Sequence, residues 1–458
     1  MLVAKGSGNM VPVTTSAPAR PLPGDVLELT AGEAAHGGWC VARAGDQGSL
    51  VLFVRHALPG ERVRAVITQV TAKLARADAI EILDPSPDRV TPPCPHAHPG
   101  GCGGCDWQHA SLPAQRRLKA AVIRQQLARI AGLEREVTVE PLDGDQPEDP
   151  EPGHPGPGLG WRTRVTFAVG RDGTAGLHRH RSHEIIPIQE CPIAHPLVNA
   201  AGVPARPWPG ATTVQVAVVP DTGESGVLVT GQVRGKVPAV AADSIRIVGR
   251  GGTRTAVAGR GYLTQHAAGR DWRTDLAGFW QGHPAAADTL TAAVLAALAP
   301  EPGDVALDLY CGAGLFAGAL AAAVGPEGRV AAVEGDVAAA RDARHNLREW
   351  PWARVHRGDV GEVLGRLGLA GATLAVLDPP RAGASPPVID ALIGGPAGGS
   401  LRRIAYVSCD PATLARDLKL LLAGGWDLEQ LRAFDAFPMT HHVECLATLT
   451  RVGHAGPD

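Results

Sequence analysis

The pattern of apolar and polar positions divides the chain into three stretches with different predicted elements. From Gly24 to about Leu83, short β-prone runs are separated by Gly and Pro, which predicts a small β-barrel. Residues 161 to about 270 are again β-rich in pattern. From about Asp271 to the end, strand and helix patterns alternate, which predicts a parallel sheet covered by helices on both faces.

The segments between these stretches set the expected domain boundaries. Residues Leu112 to Leu133 have helical spacing with basic residues on one face, so a helix is expected at about 112–133. The run of Pro, Gly and acidic residues that follows predicts a loop at about 141–160. The fold class is therefore multidomain α/β. The expected parts are a disordered lead at 1–21, a β-barrel at 22–84, a central region at 85–270 and an α/β domain at 271–458.

Composition limits the possible partners and locations. The 458 residues carry a formal net charge of only −3, so any nucleic-acid surface must be a local patch and not a property of the whole chain. No apolar run approaches the ~20 residues that a membrane helix needs, and the N-terminus lacks the apolar core of a signal peptide. We therefore expect a cytoplasmic monomer with no membrane partner.

One cysteine lies where a predicted strand ends and a helix begins. Cys409 follows Tyr406-Val-Ser and precedes Asp410-Pro411, so its thiol should face the cleft above the parallel sheet. Another predicted strand ends in Asp378-Pro-Pro-Arg381, and Glu444 follows two histidines downstream. A thiol, two carboxyls and a guanidinium at one sheet edge indicate covalent chemistry on a polar ring, with Cys409 as the nucleophile.

A glycine-rich turn follows the first strand of the α/β domain. Cys311-Gly312-Ala313-Gly314 lies between that strand and a predicted helix, and the next strand ends in Glu334, which is placed to accept hydrogen bonds from ribose hydroxyls. The Gly-x-Gly-x-x-Gly fingerprint of NAD enzymes is incomplete here. The stretch from Asp308 to Gly314 resembles instead the S-adenosylmethionine loop of Rossmann-type methyltransferases.

Four cysteines form a second group. They are Cys94, Cys102, Cys105 and Cys191. Four thiolates can close a tetrahedral zinc site or hold an iron-sulfur cluster, and both remain open at this point. Disulfides are disfavoured in a cytoplasmic protein. Cys40 and Cys445 have no such partners and are interpreted as core residues.

Together the motifs resemble the RNA uracil-5-methyltransferase family. They are Phe279-Trp280-Gln281, Asp308-Leu-Tyr-Cys-Gly-Ala-Gly, Val333-Glu334-Gly335, Asp378-Pro-Pro-Arg-Ala-Gly, Val407-Ser-Cys409-Asp-Pro-Ala-Thr-Leu and Pro438-x-Thr-x-His-x-Glu444. The chain is similar in particular to members that hold a 4Fe-4S cluster, such as the bacterial 23S rRNA 5-methyluridine enzymes. The resemblance implies an OB-like TRAM barrel, a central iron-sulfur domain and a Rossmann-like methyltransferase domain.

The resemblance also implies roles for individual residues. Cys409 would add to uracil, Glu444 would remove the proton from carbon 5, and Asp378 and Arg381 would orient the reactants, with Arg381 lowering the thiol pKa. The implied S-adenosylmethionine-binding residues are Gln281, Tyr310, Gly312, Gly314, Glu334, Asp359 and Asp378. The implied ligands of the 4Fe-4S cluster are Cys94, Cys102, Cys105 and Cys191.

Departures from the family pattern bear on the substrate. His283, Leu315 and Asp410 stand where family members commonly have Asn, so the RNA target, 23S rRNA first or a tRNA loop, is not fixed by sequence. One alternative is 5-methylcytosine formation, but those enzymes carry a second cysteine in the motif that here reads Asp378-Pro-Pro-Arg381. The other alternative is a non-catalytic RNA-binding iron-sulfur protein, against which the intact Cys409 and Glu444 argue.

Overall fold

The computed structural model describes residues 20–44, 50–144, 156–367, 371–394 and 400–451. The chain divides into two compact units. The first unit extends to Pro87 but leaves out His36–Gly38. The second unit consists of His36–Gly38 and of the residues from Asp88 onward. Of the expected disordered lead at 1–21, residues 1–19 lie outside the described residues, and so do residues 145–155 of the expected loop at 141–160.

The first unit is a six-stranded sheet. Its strands are β1 (Val26–Thr30), β2 (Ala34–Ala35), β3 (Trp39–Ala44), β4 (Leu50–Arg55), β5 (Arg62–Val70) and β6 (Leu74–Asp84). They pair in the order β1-β5-β6-β4-β3-β2. The sheet curls because the chain after β1 returns to β3, where the Gly32 N–H donates to the Val41 carbonyl at 2.7 Å. Alternate positions such as Val63, Ala65 and Ile67 point into a shared apolar core.

The central region is built on a seven-stranded sheet, as its β-rich pattern predicts. Its strands pair in the order β10-β9-β8-β11-β12-β13-β14. In chain order the elements from Leu112 to Asp275 are α1 (Leu112–Gln126), a π-helical turn (Leu127–Ala131), β7 (Val139–Glu140), β8 (Arg164–Val169), β9 (Ala175–His178), β10 (Ile185–Pro187), α2 (Pro196–Ala200), β11 (Ala211–Val218), β12 (Ser225–Gly231), β13 (Ser244–Val248), a 3₁₀ turn (Arg250–Gly252), β14 (Arg254–Ala258), β15 (Tyr262–Ala267) and β16 (Arg270–Asp275).

The last part of the chain alternates helices and strands, as predicted. Its elements are α3 (Ala286–Leu298), β17 (Val305–Leu309), α4 (Leu315–Val324), β18 (Arg329–Glu334), α5 (Val337–Asn346), β19 (Ala353–Arg357), α6 (Val360–Leu367), β20 (Leu374–Leu377), α7 (Pro386–Gly394), β21 (Arg403–Ser408), α8 (Pro411–Ala423), β22 (Trp426–Phe434) and β23 (Glu444–Arg451). The strand order is β19-β18-β17-β20-β21-β23-β22-β7. The first five of these are parallel, and β23 is antiparallel to β21.

Two elements that the sequence pattern placed in the central region lie on this sheet instead. The two residues of β7 extend the sheet beside β22. Ile123 and Leu127 pack in the same core cluster as Leu414 and Leu418 of α8. Helical spacing identified α1 correctly, but its partners come almost 300 residues later in the chain and could not be read from local sequence. Among the described residues, no helix is long and apolar enough to cross a membrane.

Candidate active site at the carboxyl edge of the sheet

A cleft of about 850 Å³ opens where the parallel strands of the large sheet end. The sequence-predicted catalytic residues Cys409, Glu444, Asp378 and Arg381 all line it. So do the predicted methyl-donor residues Gln281, Tyr310, Gly312, Glu334 and Asp359. Gly314 is the exception. It is the N-cap residue of α4 and has a φ of 91°, in the left-handed region that favours glycine, and its α-carbon faces Ala343 and Leu347.

The turn after β17 is fixed by a carboxylate on the next strand. Glu334 accepts a hydrogen bond from the Gly312 N–H at 2.8 Å and another from the Asp336 N–H at 2.7 Å. Tyr310 lies in this turn at a φ of 67°, a conformation uncommon outside glycine. Asp308, near the end of β17, is fully buried and accepts a hydrogen bond from the Ala317 N–H at 2.7 Å. Burial raises the pKa of Asp308 to about 8.

Cys409 lies between β21 and α8, at the position expected from the sequence. Asp410 caps α8, because its Oδ1 accepts hydrogen bonds from the N–H groups of Ala412 and Thr413. Burial alone would raise the pKa of Asp410, but hydrogen bonds from His36, Thr413 and Ala412 lower it to about 2. Asp410 therefore performs the capping role open to the more common Asn.

The thiol is surrounded by two carboxyls and one guanidinium. Burial and the nearby Glu444 raise the pKa of Cys409 to about 11, although Arg381 lowers it through its charge and a hydrogen bond. The effect of Arg381 on the thiol pKa thus has the sign that the sequence analysis expected, but it is smaller than the effects of burial and of the carboxyls.

The two carboxyls of the cleft hold protons more tightly than ordinary acids. Burial raises the pKa of Asp378 to about 7. Burial and the neighbouring Asp378 raise the pKa of Glu444 well above its ordinary value, while Arg381 acts in the opposite direction. One Glu444 carboxyl oxygen is buried without a hydrogen-bond partner among the described residues. Such a group, in a cleft and beside a thiol, has the properties of a proton acceptor for a bound substrate.

The loop that carries Asp378 and Arg381 is anchored by residues that the sequence analysis did not identify. Asp417 on α8 accepts hydrogen bonds from the Tyr406 hydroxyl at 2.6 Å and the Ala384 N–H at 2.9 Å. Arg416 donates to the Ala382 carbonyl at 3.0 Å. The available signal was a tyrosine on an otherwise apolar buried strand, because a buried hydroxyl normally requires a partner.

Two other departures from the family pattern have structural roles at or near the cleft. His283 is buried, accepts a hydrogen bond from the Ala285 N–H at 3.2 Å and stacks on Trp161 with ring centroids 6.1 Å apart. It thereby supports an aromatic ring of the cleft wall. Leu315 begins α4 and is buried in an apolar core cluster with Leu320 and Leu347.

Arginines of the central region contribute to the cleft, whereas those of the first unit are mostly paired. Arg162 and Arg164 line the cleft. In the first unit, Arg62 contacts Glu28 and Asp84, and Arg64 contacts Glu81 at 3.0 Å. Arg55 is buried. These three arginines of the first unit are therefore balanced by acids or removed from the surface.

The four cysteines expected to hold a cluster converge on one small pocket. Cys94, Cys102, Cys105 and Cys191 all line it, together with Arg162. Burial raises the pKa of the Cys105 thiol, and Cys191 and Cys102 raise it further. Among the described residues, no group of three or more His, Cys, Asp or Glu side chains is arranged to hold a single metal ion.

Comparisons with known proteins bear on the family to which the chain belongs. A family model described as tRNA (Uracil-5-)-methyltransferase matches residues 370–452, which carry the Asp378 loop, Cys409 and Glu444. A protein of Streptomyces avermitilis described as an uncharacterized RNA methyltransferase is 48% identical, over 93% of this chain and 98% of its own. A relative of the same description from Bifidobacterium longum is 34% identical, over 90% and 94%.

The chain belongs to the RNA uracil-5-methyltransferase family. The fold agrees with that membership. The crystal structure of Pyrococcus abyssi tRNA (uracil-54, C5)-methyltransferase in complex with S-adenosyl-L-homocysteine matches with a TM-score of 0.68, at 22% identity, over 93% of this chain and all of that one. The protein is thus an RNA methyltransferase of this family, and its cleft is the place where the family's motifs meet.

Proposed function

We propose that the protein transfers a methyl group from S-adenosylmethionine to carbon 5 of a uridine in RNA through a covalent adduct with Cys409. The observation that carries the proposal is the convergence of Cys409, Glu444, Asp378 and Arg381 in the cleft that also contains the Gly312 turn. The substrate we expect first is 23S rRNA, with a tRNA loop as the alternative.

Each step uses a residue of the cleft. The Cys409 thiolate forms a bond to carbon 6 of uracil, and the double-bond electrons move onto the ring as an enolate. Carbon 5 then bonds to the sulfonium methyl group, whose bond to sulfur breaks. Glu444 accepts the proton from carbon 5, the double bond forms again and the thiolate leaves. Asp378 and Arg381 hold the uracil edge, and Arg381 favours the ionised thiol.

The high pKa of Cys409 suits a thiol that becomes reactive only in the complete complex. Burial and Glu444 raise its pKa to about 11 and so keep it protonated at neutral pH. The Gly312 turn would hold the methyl donor, whose sulfonium would supply a positive charge to the cleft, and an opposite charge favours the ionised form of a thiol. Activation of the nucleophile would thereby depend on a bound methyl donor.

Features of the cleft wall support a single-stranded base as substrate. Phe279, Trp280, Trp161 and Phe437 line the cleft, and the Phe279 side chain is 66% exposed. Exposed aromatic rings stack on bases that have been turned out of an RNA loop. Arg162 and Arg164 beside them can contact phosphate oxygens.

We further propose that Cys94, Cys102, Cys105 and Cys191 hold a 4Fe-4S cluster with a structural role. Their convergence on one pocket supports this, because thiolates of four cysteines can hold such a cluster. Methyl transfer from a sulfonium requires no electron. The first unit, a small curled sheet of six strands, is proposed to be the TRAM-like domain.

The decisive experiment is to map 5-methyluridine by mass spectrometry in rRNA and tRNA from cells with and without the gene, and in RNA incubated with the purified protein. The matched variants are Cys409→Ala, which should abolish methylation while S-adenosylmethionine still binds, and Cys445→Ala, which changes a buried cysteine of β23 and should leave methylation intact. Residual turnover of Cys409→Ala near that of the wild type, or 5-methylcytosine as the product, would overturn the proposal.

A further inference from the structure

The loop between β22 and β23, residues 435–443, leads directly into the catalytic Glu444. It also carries His442, whose Nε2 lies 3.3 Å from a terminal guanidinium nitrogen of Arg381. Because arginine only donates, His442 Nε2 accepts this hydrogen bond. Burial, with the nearby His441 and Arg381, lowers the pKa of His442 to about 3, which keeps the imidazole neutral and able to accept. The position of this loop therefore affects both Arg381 and Glu444.

The backbone of the loop is held by the segment that follows the cysteine pair Cys102 and Cys105. Met439, at a φ of 69°, donates its N–H to the Gln115 side-chain carbonyl at 2.7 Å. Its own carbonyl accepts hydrogen bonds from the N–H groups of Asp106 and Trp107, both at 3.1 Å. A non-glycine residue keeps such a conformation only where its surroundings impose it.

One side chain adds a direct link to the catalytic loop. Asp106 Oδ2 accepts a hydrogen bond from His441 Nδ1 at 2.6 Å and another from the His441 N–H at 3.2 Å. Asp106 is only 7% exposed, so these bonds lie largely out of water. The imidazoles of His441 and His442 are adjacent, with ring centroids 4.1 Å apart. The Asp106 carboxylate thus fixes His441, which is adjacent to His442, the hydrogen-bond partner of Arg381.

The same segment borders both the cysteine pocket and the cleft. Asp106 follows Cys105 directly, and Gly103 and Gly104 line the catalytic cleft. Gly104 also lines the cysteine pocket. The chain therefore passes from the pocket to the catalytic loop within a few residues.

We propose that Asp106 is a positioning residue for catalysis, which fixes the 435–443 loop through His441 so that His442 meets Arg381 and Glu444 meets the substrate. This inference rests on the proposed function for its reaction, while its geometry is independent of which uridine is modified. It also gives the cysteine pocket a route to influence turnover, through the backbone that joins Cys105 to Asp106.

The test compares Asp106→Ala and Asp106→Asn in the full-length purified protein. We expect Asp106→Ala to lower kcat by about 10- to 100-fold, with unchanged KM for S-adenosylmethionine, unchanged iron content and unchanged melting temperature. Covalent adduct formation with 5-fluorouridine RNA should slow by the same factor. Asp106→Asn keeps an acceptor oxygen and should retain most of the activity. Asp88→Asn, which changes the exposed partner of Arg117 on α1, is the matched control. It should leave kcat, KM for S-adenosylmethionine, iron content and melting temperature unchanged.

An unchanged kcat in Asp106→Ala would overturn the inference. The inference would also be overturned if Asp106→Ala lowered the melting temperature and weakened donor binding together, and if Asp106→Asn did not restore them. That result would indicate a purely structural residue. If Asp106→Ala does not fold, His441→Ala provides the second variant. It removes the 2.6 Å bond but keeps the backbone bond, and it should lower kcat without affecting KM for the donor. If the wild-type protein makes no 5-methyluridine, that result contradicts the proposed function and not the inference about Asp106. The ratio of kcat between each variant and the wild type can be measured on any methylated product.

Discussion

At the scale of single residues, burial in the cleft raises the pKa of Cys409, Asp378 and Glu444, and the two carboxyls raise the pKa of the thiol further. A bound cation would act in the opposite direction, because an opposite charge favours the ionised form of an acid. Two predictions test these groups separately.

Replacing Glu444 by Gln should trap the reaction after methyl transfer. The amide cannot accept the proton from carbon 5, so the thiol cannot be expelled and the methylated adduct accumulates. A denaturing gel should show a stable protein-RNA band that is absent from the wild type. Glu429→Gln, which alters an exposed partner of Arg403, serves as the control and should show no such band. Full turnover without the band would remove Glu444 from the role of base.

Replacing Asp378 by Asn should stabilise the protein at high pH while abolishing activity. An aspartate of the unfolded chain ionises at about pH 4, whereas burial raises the pKa of Asp378 to about 7 in the folded protein. Between these values the folded state holds a proton that the unfolded state has lost, so stability falls as pH rises through this window. The melting temperature of Asp378→Asn should exceed that of the wild type above about pH 7 and equal it below about pH 4.

The control variant, Asp172→Asn, should shift the melting temperature in the opposite direction to Asp378→Asn. Hydrogen bonds from Thr174 lower the pKa of the exposed Asp172 carboxyl. The stability that this carboxylate contributes is present above its unfolded pKa and is lost as pH falls, so Asp172→Asn should slightly lower the melting temperature at neutral pH. Shifts of the two variants in the same direction would contradict this account of the buried acid.

Sequence identified side chains that line the cleft together but not those that hold them in place. Cys409, Asp378 and Glu444 could be predicted because each ends or begins a strand with a recognisable motif. The pair Asp106 and His441 could not, because its members are 335 positions apart and become neighbours only when two distant segments pack together. The lowering of the thiol pKa by Arg381 could be predicted, whereas the larger opposing effect of burial could not be read from the sequence.

At the scale of elements, the loop after β20 depends on α8 and β21 for its shape. Removing the Tyr406 hydroxyl leaves the buried Asp417 with fewer donors, so we expect Tyr406→Phe to cost about 1–3 kcal/mol of unfolding free energy. The loosened loop should also lower kcat through Arg381. Tyr262→Phe, on β15 and outside the cleft lining, is the matched control. Equal stability of Tyr406→Phe and the wild type in urea unfolding would contradict the anchoring role.

The sequence predicted which segments form helices and strands, but it did not predict which of these elements pack against each other. The alternating pattern after Asp271 gave the parallel sheet, and helical spacing gave α1. The attachment of α1 and β7 to that sheet was missed, because apolar spacing specifies that a face is buried and not what covers it. The parallel strands β17, β18, β20 and β21 could be predicted because each ends beside a motif.

At the scale of the whole molecule, RNA binding should depend on the cleft arginines more than on those of the first unit. We expect Arg162→Gln to weaken RNA binding and to reduce the slope of log affinity against log salt by about 1. Arg62→Gln should leave both unchanged, because Glu28 and Asp84 already balance this guanidinium. Filter binding across a salt series measures both. Equal losses in the two variants would show that the first unit contacts phosphate through residues that are paired in the free protein.

The short strand β7 has a consequence for how the chain must fold during synthesis. Val139 pairs with Ala433, so this edge of the large sheet cannot form until 294 further residues have been made. At the usual pace of a ribosome this interval lasts about 15 to 60 s. During that time the apolar face of α1, including Ile123 and Leu127, lacks the helix and strands that bury it. The nascent chain is therefore exposed to aggregation over this interval, and it is a candidate for holding by a chaperone until its last strands emerge.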